Sequence, residues 1–157
     1  MLHVAPAVFG LLAFTCLACQ AQEVEISQMQ DLPLGTWIGV GDLQGVAGFC
    51  VRSDQNGAYA VQALGDGPGG AFELPGPVTS LPYEVEFNGG AGWQPLTAGA
   101  ITGGFIGAKN KGQVNRCRNN ATGPGYEQVR VTIPSASFEQ ALAGTYTGTL
   151  ALVVSPE

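Results

Sequence analysis

The C-terminal stretch, residues 143–157, constrains the fold more than any other part of this chain. Tyr146, Leu150, Leu152 and Val154 fall on one face of it, whereas threonines and small residues fall mainly on the other. Such period-two alternation predicts one long β-strand. No alternating segment follows it in this sequence. We therefore expect its neighbours to come from earlier in the chain or from another molecule.

The rest of the chain has the pattern of an all-β protein. Charged residues make up only 11% of the 157 residues, and 24 residues are Gly. A helical bundle would instead be rich in Glu, Lys, Leu and Ala at helical spacing. Short segments typical of strands lie at residues 23–27, 34–40, 49–52, 58–64, 71–74, 81–87, 93–97, 101–108 and 126–133, with one helical turn expected within residues 135–142. This spacing predicts a single β-sandwich domain over residues 22–157.

Local signals add two expectations about these strands. Asn56 and Gly57 tolerate the positive φ of a tight turn, which predicts a β-hairpin that joins residues 49–52 to residues 58–64. Alternation also predicts which side chains face the core. They are Tyr59, Val61 and Ala63, then Tyr83, Val85 and Phe87, and finally Val129, Val131 and Ile133.

Residues 1–21 are predicted to be a cleaved export signal. Its apolar run, Val8–Phe14, is too short to anchor a helix in a bilayer, and Cys19 and Ala21 place small residues before a cut after Ala21. The rival prediction is a lipoprotein signal with Cys19 acylated. No other stretch is a candidate membrane span, so the exported chain is predicted to have no transmembrane segment.

Cleavage would leave two cysteines, Cys50 and Cys117. An even pair in an oxidising compartment predicts a disulfide. It would close a loop of about 67 residues and stabilise the fold by roughly 4 kcal/mol on the chain-entropy estimate.

The charge pattern argues against a nucleic-acid partner. The chain has 12 acidic and 6 basic residues, and its net charge is −6. Four of the basic residues cluster in one segment; they are Lys109, Lys111, Arg116 and Arg118. That patch is too small to neutralise many phosphates against a negative background.

Catalytic signals are also weak. His3 is the only histidine and lies in the predicted signal, so a hydrolytic triad would lack its usual base and zinc would lack His ligands. Glu84 and Glu86 could suggest acid–base chemistry, but their alternation with apolar residues favours the solvent face of a strand. The glycine-rich residues 65–70 lack the Lys-Ser/Thr ending of a phosphate loop. We expect no enzyme, no cofactor and no metal site.

The order of motifs resembles the spore coat protein U-like domain of bacterial pilins that archaic chaperone–usher systems assemble. Four motifs carry the resemblance. They are Leu34–Trp37, Phe49–Val51, Leu81–Phe87, and Gly144–Thr149 with the alternating residues after it. The resemblance covers nearly all of residues 22–157.

The resemblance implies an immunoglobulin-like sandwich that lacks its final strand. In such pilins a periplasmic chaperone fills the gap, and a neighbouring subunit then replaces it at an outer-membrane usher. By this likeness Tyr146, Leu150, Leu152 and Val154 would line the strand-acceptor groove. The chain would be a structural subunit of a surface fimbria, with a possible role in adhesion or biofilm. The same four residues could equally be ordinary core.

The chain departs from that pattern at its start. Only residues 22–31 precede the first Leu-Gly motif, and Val24, Ile26 and Met29 are their only apolar residues. They could serve as a donor strand or as the first strand of this domain.

An alternative is a self-contained exported binding module for carbohydrate or surface proteins. Its ligand would bind on loops at residues 65–70, 88–93 and 119–125, with Trp93 as an exposed aromatic platform. This alternative needs a sandwich that closes without a partner.

Overall fold

The computed structural model describes residues 23–53, 57–106, 108–109 and 127–157. The strands are β1 (Val24–Ser27), β2 (Leu43–Ser53), β3 (Ala58–Leu64), β4 (Glu73–Pro75), β5 (Ser80–Pro82), β6 (Glu84–Asn88), β7 (Trp93–Leu96), β8 (Ile101–Ile106), β9 (Ala108–Lys109), β10 (Glu127–Ile133) and β11 (Ala151–Pro156). The described helices are a 3-10 turn at Pro68–Gly70 and α1 (Ser135–Phe138). The predicted all-β class is therefore confirmed.

The first sheet has the strand order β1-β2-β10-β6-β7, and its neighbouring strands are antiparallel. The short strand β9 adds a parallel pairing to β2. Strand β10 lies at the centre of this sheet. Its inward side chains, Val129, Val131 and Ile133, are buried in the core. Such a central strand needs two neighbours to pair its backbone groups, and β2 and β6 supply them.

The second sheet has the order β11-β3-β8 and packs across the core from the first. Strand β3 is its centre, with Tyr59, Val61 and Ala63 fully buried beneath it. Strands β4 and β5 form a separate two-stranded ladder. The predicted β-sandwich is confirmed by this arrangement.

An aromatic cluster joins the two sheets. The ring of Phe87 on β6 lies 4.7 Å from that of Phe105 on β8 and 6.4 Å from that of Tyr59 on β3, edge-on in both cases. The Phe49 ring lies 5.9 Å away on the same sheet as Phe87. Edge-to-face aromatic pairs add stabilisation beyond the burial of their area. This cluster therefore holds the two sheets together across the core.

The hairpin predicted around Asn56-Gly57 is wrong. Strand β2 pairs with β1, β9 and β10, whereas β3 pairs with β8 and β11. The connection therefore crosses from one sheet to the other. Turn chemistry cannot distinguish these cases, because a tight reversal serves a hairpin and an arch between sheets equally well.

Two other predicted strands need correction. Residues 34–40 form no strand, and the expected strand over 143–157 is regular only at β11. Strand β3 ends at Leu64, opposite Ala151, so the chain before Ala151 runs past the end of its ladder partner. Without that partner, residues 143–150 are irregular.

The remaining expectations have mixed outcomes. The inward residues predicted on β3, β6 and β10 are buried, and the helical turn is present as α1. Cys50 is buried on β2, but Cys117 lies outside the described residues, so their pairing stays a prediction. The predicted signal lies outside them too. Within the described ranges from residue 23 onward, no helix has the length and hydropathy to cross a membrane.

We expect Phe87→Ala to lower the free energy of unfolding by about 3–5 kcal/mol, because it empties the centre of the aromatic cluster. Urea denaturation followed by circular dichroism measures the loss. Gln94→Ala is the matched control, since Gln94 pairs with Phe87 across the ladder but is exposed. An equal loss in both variants would contradict the assignment of this cluster as the core.

Candidate functional site: an apolar groove beside the last strand

Strand β11 is paired on one side only. Its residues Ala151–Pro156 pair with β3, and no strand among the described residues is hydrogen-bonded to its other edge. Strand β1 comes near that edge but pairs with β2 instead. An edge of this kind presents backbone donors and acceptors that another strand can use.

A first wall of the groove is built by residues 28–34. Gln28 has a φ of 63°, a left-handed conformation, at the point where the chain leaves the ladder with β2. Met29, Leu32 and Leu34 then line the groove. Leucines 32 and 34 are anchored because they lie directly over Gly45, where an added Cβ would be 2.6 Å from Leu32 Cδ2 and 2.9 Å from Leu34 Cδ2. The first wall therefore depends on a glycine in β2.

Trp37 extends this wall over α1. Its ring stacks on that of Phe138, with centroids 4.5 Å apart and planes 9° from parallel. The indole Nε1–H donates to the carbonyl oxygen of Gly41 at 2.8 Å. The stacking and the hydrogen bond together fix the position of the indole, which lines the wider part of the groove.

The second wall is the irregular segment before β11. The hydroxyl of Tyr146 donates to the carbonyl oxygen of Leu142 at 2.8 Å, and the Thr149 N–H donates to the Asp66 carboxylate at 2.6 Å. The Tyr146 ring packs onto Gly76, where an added Cβ would lie 2.1 Å from Cε1. Hydrogen bonds and packing against loops thus hold this segment in place, where no strand pairs with it.

Two adjoining cavities lie between these walls. The smaller has a volume of about 300 Å³, and the wider, at the α1 end, about 610 Å³. Both are lined by Leu34 and Leu74, so they form one groove. The smaller is also lined by Met29, Gln30, Asp31, Leu32, Ala47, Tyr83, Val129, Val131, Gly148, Thr149, Leu150 and Leu152. The wider is also lined by Gly35, Thr36, Trp37, Leu43, Leu81, Ile133, Phe138, Ala141, Leu142, Ala143, Gly144, Thr145 and Tyr146.

Three of the four residues predicted for the groove line it. Leu150 and Leu152 line the smaller cavity, and Tyr146 lines the wider one. Val154 is half-buried against the core beyond both cavities. Their role as strand acceptors stays a prediction.

Sequence reasoning missed the opposite wall. Residues 34–40 were expected to form a strand, residues 22–31 were considered only as a donor or first strand, and α1 was given no functional role. The available signal was Pro33, which disfavours a strand, inside a segment that is otherwise apolar. An apolar segment that cannot join a strand ladder still favours burial of its side chains against another part of the protein.

Burial changes the chemistry of Tyr83 at the groove floor. Burial first, and the nearby Asp66 carboxylate second, raise the pKa of Tyr83 to about 12. The phenol therefore stays neutral to a higher pH than an exposed tyrosine does.

The other candidate residues lie elsewhere. Glu86 accepts from Arg130 Nε at 2.6 Å in an ion pair, and Glu84 is exposed. The Arg130 guanidinium lies 4.3 Å from the Trp93 ring centroid, so one face of that indole is covered. Trp93 is thus half-buried rather than an open platform.

The glycine-rich loop uses its own backbone donors. The N–H groups of Gly65, Gly67 and Gly70 donate to carbonyl oxygens within residues 67–71, at 2.8–3.0 Å. These three donors are therefore already used within the loop. Within the described ranges, no group of His, Cys, Asp and Glu is arranged to hold a metal ion.

No protein-family model and no curated protein matches this chain. Among solved structures, the fold is similar to a chain from a study titled "Chaperone-tip adhesin complex is vital for synergistic activation of CFA/I fimbriae biogenesis", with a TM-score of 0.54 and 13% sequence identity. The similarity covers 87% of this chain and 42% of that one, so this chain spans less than half of its neighbour. At this identity the two chains share a fold.

We expect stability to decline as pH rises from about 10 to about 12, and Tyr83→Phe to make the decline shallower. The folded pKa of Tyr83 is about 12, and that of an unfolded tyrosine is about 10. Folding therefore favours the neutral phenol, and its contribution is complete below pH 10 and lost through pH 12. Denaturation midpoints measured across this range test it; identical slopes for both proteins would contradict it.

Proposed function

We propose that this chain is a structural subunit of a bacterial surface fimbria, and that a β-strand from an assembly partner completes its sandwich. The observation that carries the proposal is the apolar groove along residues 141–152, which reaches the unpaired edge of β11 at Leu152. The first partner would be a periplasmic chaperone. A neighbouring subunit would then replace it at an outer-membrane usher.

The groove has the two features that strand addition needs. Backbone groups on the free edge of β11 can pair with an incoming strand, and alternate side chains of that strand would point into the cavities. The lining is almost uncharged, since Asp31 is the only Asp, Glu, Lys, Arg or His among the described residues that line it. An incoming strand with aliphatic residues at every second position fits this chemistry.

The other sheet edges favour β11 as the acceptor. Strand β1 carries the Glu25–Arg52 ion pair, and β7 contains an exposed proline, Pro95. Strand β8 has an irregular register, and the N–H of Gly104 donates to the Glu157 carboxylate at 2.9 Å. Charges, prolines and bulges are the devices by which proteins protect exposed edges. Within the described part of the chain, β11 carries one such device, Pro156 at its last position, whereas Ala151–Ser155 has none.

The fold neighbour supports a fimbrial role at a coarse level, because that structure belongs to a chaperone–tip adhesin complex of fimbriae. We further propose that the chain is exported through the periplasm to the cell surface and acts without catalysis. Adhesion or biofilm formation would follow from that position.

The first test is thermal unfolding of the exported chain, alone and with a synthetic strand peptide of about ten residues in which Val alternates with Thr. The peptide should raise the unfolding temperature, because it fills the groove and pairs with β11. A scrambled peptide of the same composition is the control. A fully cooperative, reversible transition that the alternating peptide leaves unchanged would overturn the proposal in favour of a self-contained binding module.

Exposed groove residues provide a second test that preserves the fold. Met29 and Leu142 line the two cavities and are 49% and 51% exposed. Met29→Asp and Leu142→Asp should each weaken peptide binding by about tenfold or more, since the strand would bury an unpaired charge. Val46→Asp is the matched control, because Val46 is 48% exposed on the outer face of the first sheet. Calorimetric titration measures all three, and equal affinities would place the binding site elsewhere.

A further inference from the structure

We infer that this subunit accepts a strand but donates none from residues 23–34, so that it ends a row of strand-exchanged subunits. The inference rests on the proposed function. Growth of such a row requires each subunit both to receive a strand and to extend one. In this chain, the segment that would have to be extended is already used twice in its own domain.

The first use is as a strand of the first sheet. Strand β1 pairs with β2 from Val24, opposite Ser53, to Ser27, opposite Cys50. Val24 and Ile26 pack against the core, and Glu25 forms an ion pair with Arg52. Donation of β1 would expose two aliphatic side chains and break this ladder.

The second use is as a wall of the groove. Met29, Leu32 and Leu34 line the cavities, and the two leucines are seated over Gly45. If residues 29–34 left to enter a neighbour, the groove that receives a strand would lose this wall. For this segment, acceptance and donation exclude one another.

Under either predicted processing of the export signal, the residues left before β1 offer no substitute. Cleavage after Ala21 would leave Gln22 and Glu23 ahead of β1, and acylation of Cys19 would leave residues 19–23. Neither remnant contains a branched aliphatic or aromatic residue. Neither remnant therefore offers a large apolar side chain to fill a pocket of a neighbour's groove.

The decisive experiment compares the oligomeric state of the full chain, exported in a bacterial host, with that of an extended variant. The variant carries about ten residues of alternating Val and Thr, after a Gly-Ser spacer, between Gln22 and Glu23. Light scattering after size exclusion, and electrophoresis without boiling, measure assembly. The wild type should remain without a ladder of multimers, and the variant should form one. The same extension with Ser in place of Val is the matched control and should form none.

A cross-linked variant provides a second, independent measurement. Glu25→Cys with Arg52→Cys joins directly paired positions, so its disulfide holds β1 on β2. This protein should bind the alternating Val/Thr peptide with unchanged affinity and should assemble as the wild type does. A wild-type ladder that this disulfide abolishes would show donation by β1 and overturn the inference.

The outcomes also separate the two proposals. A wild-type chain that binds the peptide and forms a ladder overturns the terminal position but leaves the acceptor function intact. A chain that fails to bind the peptide overturns the acceptor function, whatever its oligomeric state.

Discussion

The unpaired edge of β11 is the constraint on which the rest of the structure depends. Backbone N–H and C=O groups have to be paired or hydrated, and apolar side chains beneath them favour burial. Strand β3 satisfies only one side of β11. The walls on either side, residues 28–37 and 141–150, stand apart because no strand of the described chain fills the space between them. An edge strand with an open apolar floor would bury more apolar surface if another strand joined it.

Much of the fold followed from alternation alone, as β6 and β10 show. Their inward residues, including Phe87 and Val131, are buried as the period-two pattern predicts, because one face of each strand packs on the core. The pairing of strands did not follow. Side chains on β2 and β3 have the same alternation whether the strands lie side by side or face each other across the core, so the sequence supports either geometry.

Only one of the two walls of the candidate site was predictable from the sequence. Alternation pointed to Leu152 of β11 and to Leu150 just before it, and both line a cavity, while their role as strand acceptors stays a prediction. The opposite wall, residues 28–37, has no regular hydrophobic period that would reveal it in the sequence. Leu32 and Leu34 reach the groove through an irregular path that depends on contact with Gly45, a residue of another element. Contacts between distant segments with no regular structure leave no local signal in a sequence.

The stacked pair of Trp37 and Phe138 has an optical consequence. Trp37 lines the wider cavity, whereas Trp93 lies on the outer face of the first sheet beneath Arg130. A strand that enters the groove would displace water from the indole of Trp37 and leave that of Trp93 as it is. The fluorescence of a single native side chain would then report whether the groove is empty or filled, without an attached label.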